Sequence, residues 1–196
     1  MKRLAALLVL MSCGCALGQG APEKGGRELG LWTAGGVSVP GGTPDVGVWD
    51  MGLRYGWILT GPHGPGFLRG SFEYAADAIP VYMVHERNAT YGAGFNPLVL
   101  KWNFARGRKV APFVELAGGT LFSSGNVPDR SPTQVNFTSG AAVGLHIFGR
   151  RGNGVVAVRY VHISNAGLAS PNPGINTVQF QLGINTFSSP RRHRRK

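Results

Sequence analysis

Residues 98–104 read LVLKWNF, and the way their side chains divide decides what kind of chain this is. In an extended strand successive side chains point to opposite faces, so Leu98, Leu100, Trp102 and Phe104 share one side and Lys101 and Asn103 the other. The same division recurs. Phe72 and Tyr74 oppose Ser71, Glu73 and Asp77, with Arg69 counted on the polar side; Val114, Leu116 and Phe122 oppose Glu115; Val135, Phe137, Val143, Leu145 and Ile147 oppose Asn136, Thr138 and His146. Eight such segments are expected: Glu28–Ser38, Val46–Leu59, Phe67–Ala78, Gly92–Phe104, Val110–Phe122, Gln134–Phe148, Gly154–Asn165 and Asn176–Phe187. Helical periodicity is scarce, and 31 glycines suit bends and close strand packing.

A strand with one apolar face fits either a soluble barrel with that face inward or a membrane barrel with that face on lipid. Loop lengths favour the second. If the first strand enters from the periplasm, TGPHGPG, ARGRK and GRRGN are short turns on that side, and VPGGTPD, IPVYMVHERNATY, SSGNVPDRSPT and AGLASPNPGI are longer loops on the other. The polar faces also carry both signs, Glu28, Asp50, Glu73, Asp77 and Glu115 against Arg54, Arg69, Lys101 and Arg159, as a narrow plugged interior requires. The expected fold is all-β, an eight-stranded antiparallel transmembrane β-barrel over residues 28–187.

The ends read differently. MKRLAALLVLMSCGCALGQG has a basic start, a short apolar run and small residues at Ala16 and Gly18, the layout of an export signal over residues 1–18 with cleavage near 18–21. Cys13 and Cys15 both fall within it, so the mature chain would carry no thiol or disulfide. Leu10-Met11-Ser12-Cys13 loosely imitates a lipidation box, with methionine a poor fit inside it. Residues 188–196 form a basic tail. Taking the charges of Lys2 and Arg3 and the five of RRHRRK from the formal +11 leaves +4 on the body. For an exported chain such a tail points to a solvated end or an anionic lipid clamp, and no nucleic-acid partner is expected.

At the end of the seventh segment stands YVHISNAGLASPNPGIN, residues 160–176. His162 and Ser164 share the apolar face of that segment, and Asn176 shares the apolar face of the next. Antiparallel pairing that sets Asn176 opposite either residue keeps all three on one side. Residues two apart on a strand have Cα atoms about 6.6 Å apart, a gap that a leaning imidazole can partly close. The same residues also suit a membrane–water boundary followed by ordinary turn chemistry.

The run Tyr160, His162, Ser164-Asn165-Ala166-Gly167, followed by Asn172-Pro173-Gly174, resembles the signature of the lipid A 3-O-deacylases, outer-membrane barrels also described as acyloxyacyl hydrolases. The resemblance implies a serine esterase in the outer membrane of a Gram-negative cell, removing a 3-hydroxyacyl chain from lipid A at a site facing the outer leaflet. His162 would be the general base and Ser164 the nucleophile. Where the family places a glutamate, this chain has Asn176, which can orient the base but supplies no charge, so weakened activity is an expectation. Asn165, Asn172 and Gly174 would serve the oxyanion or the substrate, or simply cap the loop. Lipopolysaccharide is the expected partner, with Arg130 a candidate phosphate contact and a second copy of the chain a candidate for a homodimer. Neither cofactor nor metal is called for. A noncatalytic lipopolysaccharide-binding barrel and a soluble exported lipid-binding barrel are the alternatives.

Overall fold

A computed structural model describes residues 21–189 except 106, 108 and 151; the expected signal segment and nearly all of the basic tail lie outside the described residues. Eight strands follow one another: β1 (Arg27–Ser38), β2 (Gly47–Ile58), β3 (Gly70–His85), β4 (Ala89–Phe104), β5 (Val110–Ser123), β6 (Val135–Phe148), β7 (Asn153–Ser164) and β8 (Ile175–Ser188). Each pairs antiparallel with the next, and β1 pairs with β8, which closes the barrel and leaves no open edge. Both described ends of the chain therefore lie at one rim, beside the connections 59–69, 105–109 and 149–152. Connections 39–46, 86–88, 124–134 and 165–174 lie at the other.

The apolar face is the outer one. Leu53, Leu116, Val143, Phe180 and Ile184 are all more than half exposed, while Glu73, Lys101, His146 and Gln179 are buried. The soluble alternative, in which the greasy face encloses a ligand, is thereby overturned: here polar groups fill the lumen and hydrocarbon would surround the wall.

Burial is tolerable for those charges because each is paired. Arg54 bonds Asp77 through Nε and Nη2 at 2.8 Å and also bonds Glu115. Lys101 lies between Glu28 and Glu73, and Asn103 links Glu73 (2.7 Å) to His146 (3.0 Å). Arg159 donates to Gln179 at 2.7 Å, contacts Asp50, and lies over the Trp32 ring. That ring in turn needs Gly52, where a Cβ would stand 2.4 Å from the indole.

The sequence reading fails in one region. The third strand begins at Gly70, because Gly66–Leu68 form a 3-10 turn that leaves Arg69 exposed outside the lumen. At its far end β3 does not stop at Ala78 but runs to His85, and β4 starts at Ala89, so IPVYMVHERNATY is mostly strand. Pro80 disguises this. Pro80 falls between Ile79 and Tyr82, where the register shifts and the buried set changes from odd residues (Glu73, Ala75, Asp77, Ile79) to even ones (Tyr82, Val84). A second shift, between Phe95 and Leu98, spans Pro97. Bulges of this kind accommodate a residue with no N–H to offer. Tyr91 and Tyr74 donate hydroxyl hydrogen bonds to the carbonyls of Pro80 (2.7 Å) and Pro97 (2.6 Å). The neat alternation of short and long connections is also lost: 59–69 is as long as 124–134, and 86–88 is the shortest of all.

Candidate active site

Strand β7 carries its even residues on the outer wall: Val158 and Tyr160 are exposed, and His162 and Ser164 half-buried. On β8 the outward residues Val178, Phe180, Leu182 and Ile184 are exposed. The register sets His162 directly opposite Asn176, and the pair meets: His162 Nδ1 lies 2.6 Å from Asn176 Oδ1. An amide oxygen only accepts, so Nδ1 bears the proton and donates. The lone pair is then on Nε2, the arrangement a general base needs. Ser164 ends the strand on the same face, paired across to Phe137 of β6. Among the described residues no hydrogen bond joins its hydroxyl to His162.

Asn176 is only 7 % exposed although it sits on the outer wall. The cover comes from the β1–β2 connection. Val39 N–H donates to the Asn176 carbonyl at 2.8 Å, and the Thr43 N–H and hydroxyl both donate to the Gly174 carbonyl, at 2.9 and 2.8 Å. A Cβ on Gly41 or Gly42 would stand 3.0 Å from Asn176 atoms. Gly174 itself has φ +63°, and a Cβ there would come within 3.1 Å of His162 Cε1, so only glycine lets the loop turn back against the imidazole. Gly41, Gly42 and Thr43 were not among the residues expected from sequence. VPGGTPD reads as simple turn chemistry, and a contact with Gly174 so far along the chain leaves no local pattern.

The other loop residues are placed as follows. Asn165 is buried, and its side chain ties the β7–β8 loop together: Nδ2 donates to the Ala169 carbonyl at 3.0 Å, and Oδ1 accepts from Gly167 N–H at 2.9 Å. Its own N–H donates to Asn172 Oδ1 at 3.0 Å. Asn165 thus spends its donors within the loop and on Ser131 Oγ of the 124–134 connection at 3.4 Å, and Asn172 is exposed at the surface with its oxygen engaged. Arg130 is exposed in the 124–134 connection. With Arg87, Thr43, Glu86 and Pro173 it lines a cleft of about 850 Å³ beside the loop. Glu86 accepts from Asp129 N–H at 3.0 Å, and partial burial, with the Asp129 charge adding to it, holds its carboxyl above the usual range despite that hydrogen bond.

The family model for lipid A 3-O-deacylase (PagL) matches residues 51–185, which include most of the barrel and all of the loop and strand residues named above from His162 to Asn176. This chain belongs to the PagL family. The crystal structure of the outer membrane enzyme PagL is similar to it with a TM-score of 0.63 and 25 % identity, over 79 % of this chain and 98 % of that one. The outer membrane protein OprG from Pseudomonas aeruginosa superposes with a TM-score of 0.52 at 11 % identity, over 87 % of this chain and 98 % of that one, a likeness of fold alone. No curated protein matches the sequence. Membership of the PagL family and the outer-membrane barrels beside it make this an outer-membrane protein of the deacylase family.

Proposed function

We propose that this protein is an outer-membrane serine esterase that removes an ester-linked 3-hydroxyacyl chain from lipid A. The observation that carries the reading is the 2.6 Å contact of His162 Nδ1 with Asn176 Oδ1 on the lipid-facing wall, two strand positions from a serine. Ser164 Oγ attacks the ester carbonyl as its proton passes to His162 Nε2. The tetrahedral intermediate collapses, the C–O bond to the sugar breaks, and His162 returns the proton to the departing sugar hydroxyl. Water then attacks the acyl-serine, again losing a proton to Nε2, and the 3-hydroxy fatty acid leaves with Ser164 restored. Asn176 orients the imidazole throughout. The loop Asn165–Gly174 supplies oxyanion donors, with Asn165 holding its shape and Asn172 and Gly174 nearest the reacting carbonyl.

The site lies at the rim opposite the chain ends, so with those ends in the periplasm it meets the outer leaflet, where lipopolysaccharide lies. The outward apolar side chains flanking His162 would hold the acyl chain, and the Arg87–Arg130 cleft would admit the phosphorylated sugar.

A second reading is favoured by one observation, the amide in place of a carboxylate together with a serine not bonded to its base: a barrel that binds lipopolysaccharide and leaves it intact. Mass spectrometry of purified lipid A after incubation with the refolded chain decides between them. Loss of one 3-hydroxyacyl group, abolished in Ser164→Ala and His162→Ala, supports the esterase. Intact lipid A with the native chain supports the second reading, and product undiminished in both variants would overturn the assignment of Ser164 and His162.

A further inference from the structure

The charges of this molecule are sorted by position along the barrel axis. Of its nine carboxylates, five line the lumen, Glu28, Asp50, Glu73, Asp77 and Glu115; three, Asp45, Glu86 and Asp129, stand at the rim that bears the candidate site; and Glu23 alone stands at the other. Cations are distributed in the opposite sense. Lys24, Arg27, Arg69, Lys109 and Arg150 are all exposed at the rim where the chain ends meet, whereas the site rim has Arg87 and Arg130.

We infer that this cationic rim is a docking surface for anionic glycerophospholipid headgroups of the leaflet opposite the lipopolysaccharide. Position carries the argument. Arg27 is on the outward face of β1, in line with Leu29 and Leu31, which are exposed on the wall. Arg69 follows directly on Phe67 and Leu68, exposed by 69 % and 47 %. At the same level the Trp57 ring stacks on Tyr74 with centroids 5.6 Å apart, and Trp102 meets His63 edge-on at 4.9 Å. Aromatic rings at the end of an apolar band mark headgroup depth. Cations continuous with that band therefore stand where lipid phosphates stand, and a long stem lets each reach the phosphate while its methylenes stay on the wall. A soluble acidic protein or nucleic acid would need no such continuity. The inference does not depend on hydrolysis, only on the barrel spanning a membrane.

The four tryptophans supply the test. Trp57 and Trp102 flank the cationic rim, Trp49 is exposed near the other, and Trp32 is buried in the lumen. The full mature chain with Trp49→Phe is reconstituted in phosphatidylcholine bilayers containing rising fractions of brominated phosphatidylglycerol, and quenching gives the relative association constant of the two lipids. Each surface cation is worth about fivefold against an anionic leaflet, so the constant at low salt should exceed about five. It should fall toward one in K24Q/R27Q/R69Q/K109Q, and also, with no substitution of the rim, at about 1 M salt, where the screening length is about 3 Å. The companion chain with Trp57→Phe and Trp102→Phe, reporting from Trp49, should give a constant near one. Equal quenching by the two lipids at Trp57 and Trp102 in low salt overturns the inference, as does a preference that survives both neutralisation and salt. Loss of the preference on adding inorganic phosphate at low, constant ionic strength would show a free-anion site instead, and would overturn it too.

Discussion

Replacing Asn176 by aspartate alters a single terminal atom and leaves an oxygen where the amide oxygen now lies, 2.6 Å from His162 Nδ1. In the proposed mechanism the change adds a full negative charge beside the imidazolium formed as Ser164 gives up its proton. For unit charges about 4 Å apart, Coulomb's law gives about 1 kcal/mol in water and about 4 kcal/mol near a protein surface. His162 is half-buried, so about 2 kcal/mol of extra transition-state stabilisation is reasonable, or about a 30-fold rise in turnover. This is well below the roughly 10⁴ lost when a serine protease exchanges its aspartate for asparagine, because there the exchange also imposes the wrong tautomer. Here the amide oxygen already selects the useful one. The assay is release of 3-hydroxy fatty acid from lipid A in mixed micelles, measured for the native chain, Asn176→Asp and Asn176→Glu. Glutamate brings the same charge on a stem longer by about 1.5 Å, so it must fold back and should gain less. A folded Asn176→Asp protein with turnover no higher than the native chain would refute the assignment of Asn176 as the orienting group.

Further outcomes follow from the same geometry. Gly174→Ala must strain a φ of +63° and press on His162 Cε1 from 3.1 Å; turnover should drop by tenfold or more with little change in unfolding midpoint, and a midpoint that falls as sharply as the activity would show a fold defect instead. Thr43→Val removes the hydroxyl hydrogen bond to Gly174 at the cost of about 1 kcal/mol, and should slow lipid A deacylation without altering the melting of the barrel, both measured on the refolded chain. Arg54→Met leaves Asp77 and Glu115 buried without their cation and should cost about 3–5 kcal/mol, read from denaturant unfolding in lipid vesicles. Glu86 holds its proton more tightly in the folded protein than in an unfolded chain, so its contribution favours the fold at low pH and is lost as pH rises through the raised value. Glu86→Gln should therefore remove a pH-dependent loosening between connections 86–88 and 124–134, detected as proteolysis within 124–134 that no longer increases from mildly acid to neutral pH.

The barrel was legible because its strands obey a period of two and because polar residues stay on one side of LVLKWNF and its counterparts. Legibility stopped at Pro80, whereas the expected strand Gly92–Phe104 ran on across the second shift at Pro97. A bulge inserts one residue, so the apolar set changes parity, and a reader holding to strict alternation sees a strand end and a loop begin. Arg69 was misplaced for the same reason, since a single 3-10 turn just before β3 breaks the phase. At the site, the facing of His162 and Asn176 followed from parity, a local property. The cover over Asn176 did not, because Val39, Gly41, Gly42 and Thr43 reach it only once β1 and β8 have closed the sheet. Nor could spacing show that Asn165 turns its amide toward its own loop and Ser131.

The filled lumen has a consequence for traffic. With Arg54, Lys101 and Arg159 each in contact with carboxylates along the axis, side chains occupy the interior of the cylinder, and under the proposed function a lipid substrate comes to the outer wall sideways, through the bilayer. A reactant confined to two dimensions arrives at a rate set by its surface density and the fluidity of its neighbours. Stiffening the lipopolysaccharide layer with divalent ions should therefore throttle encounter at the wall even while every side chain stays in place.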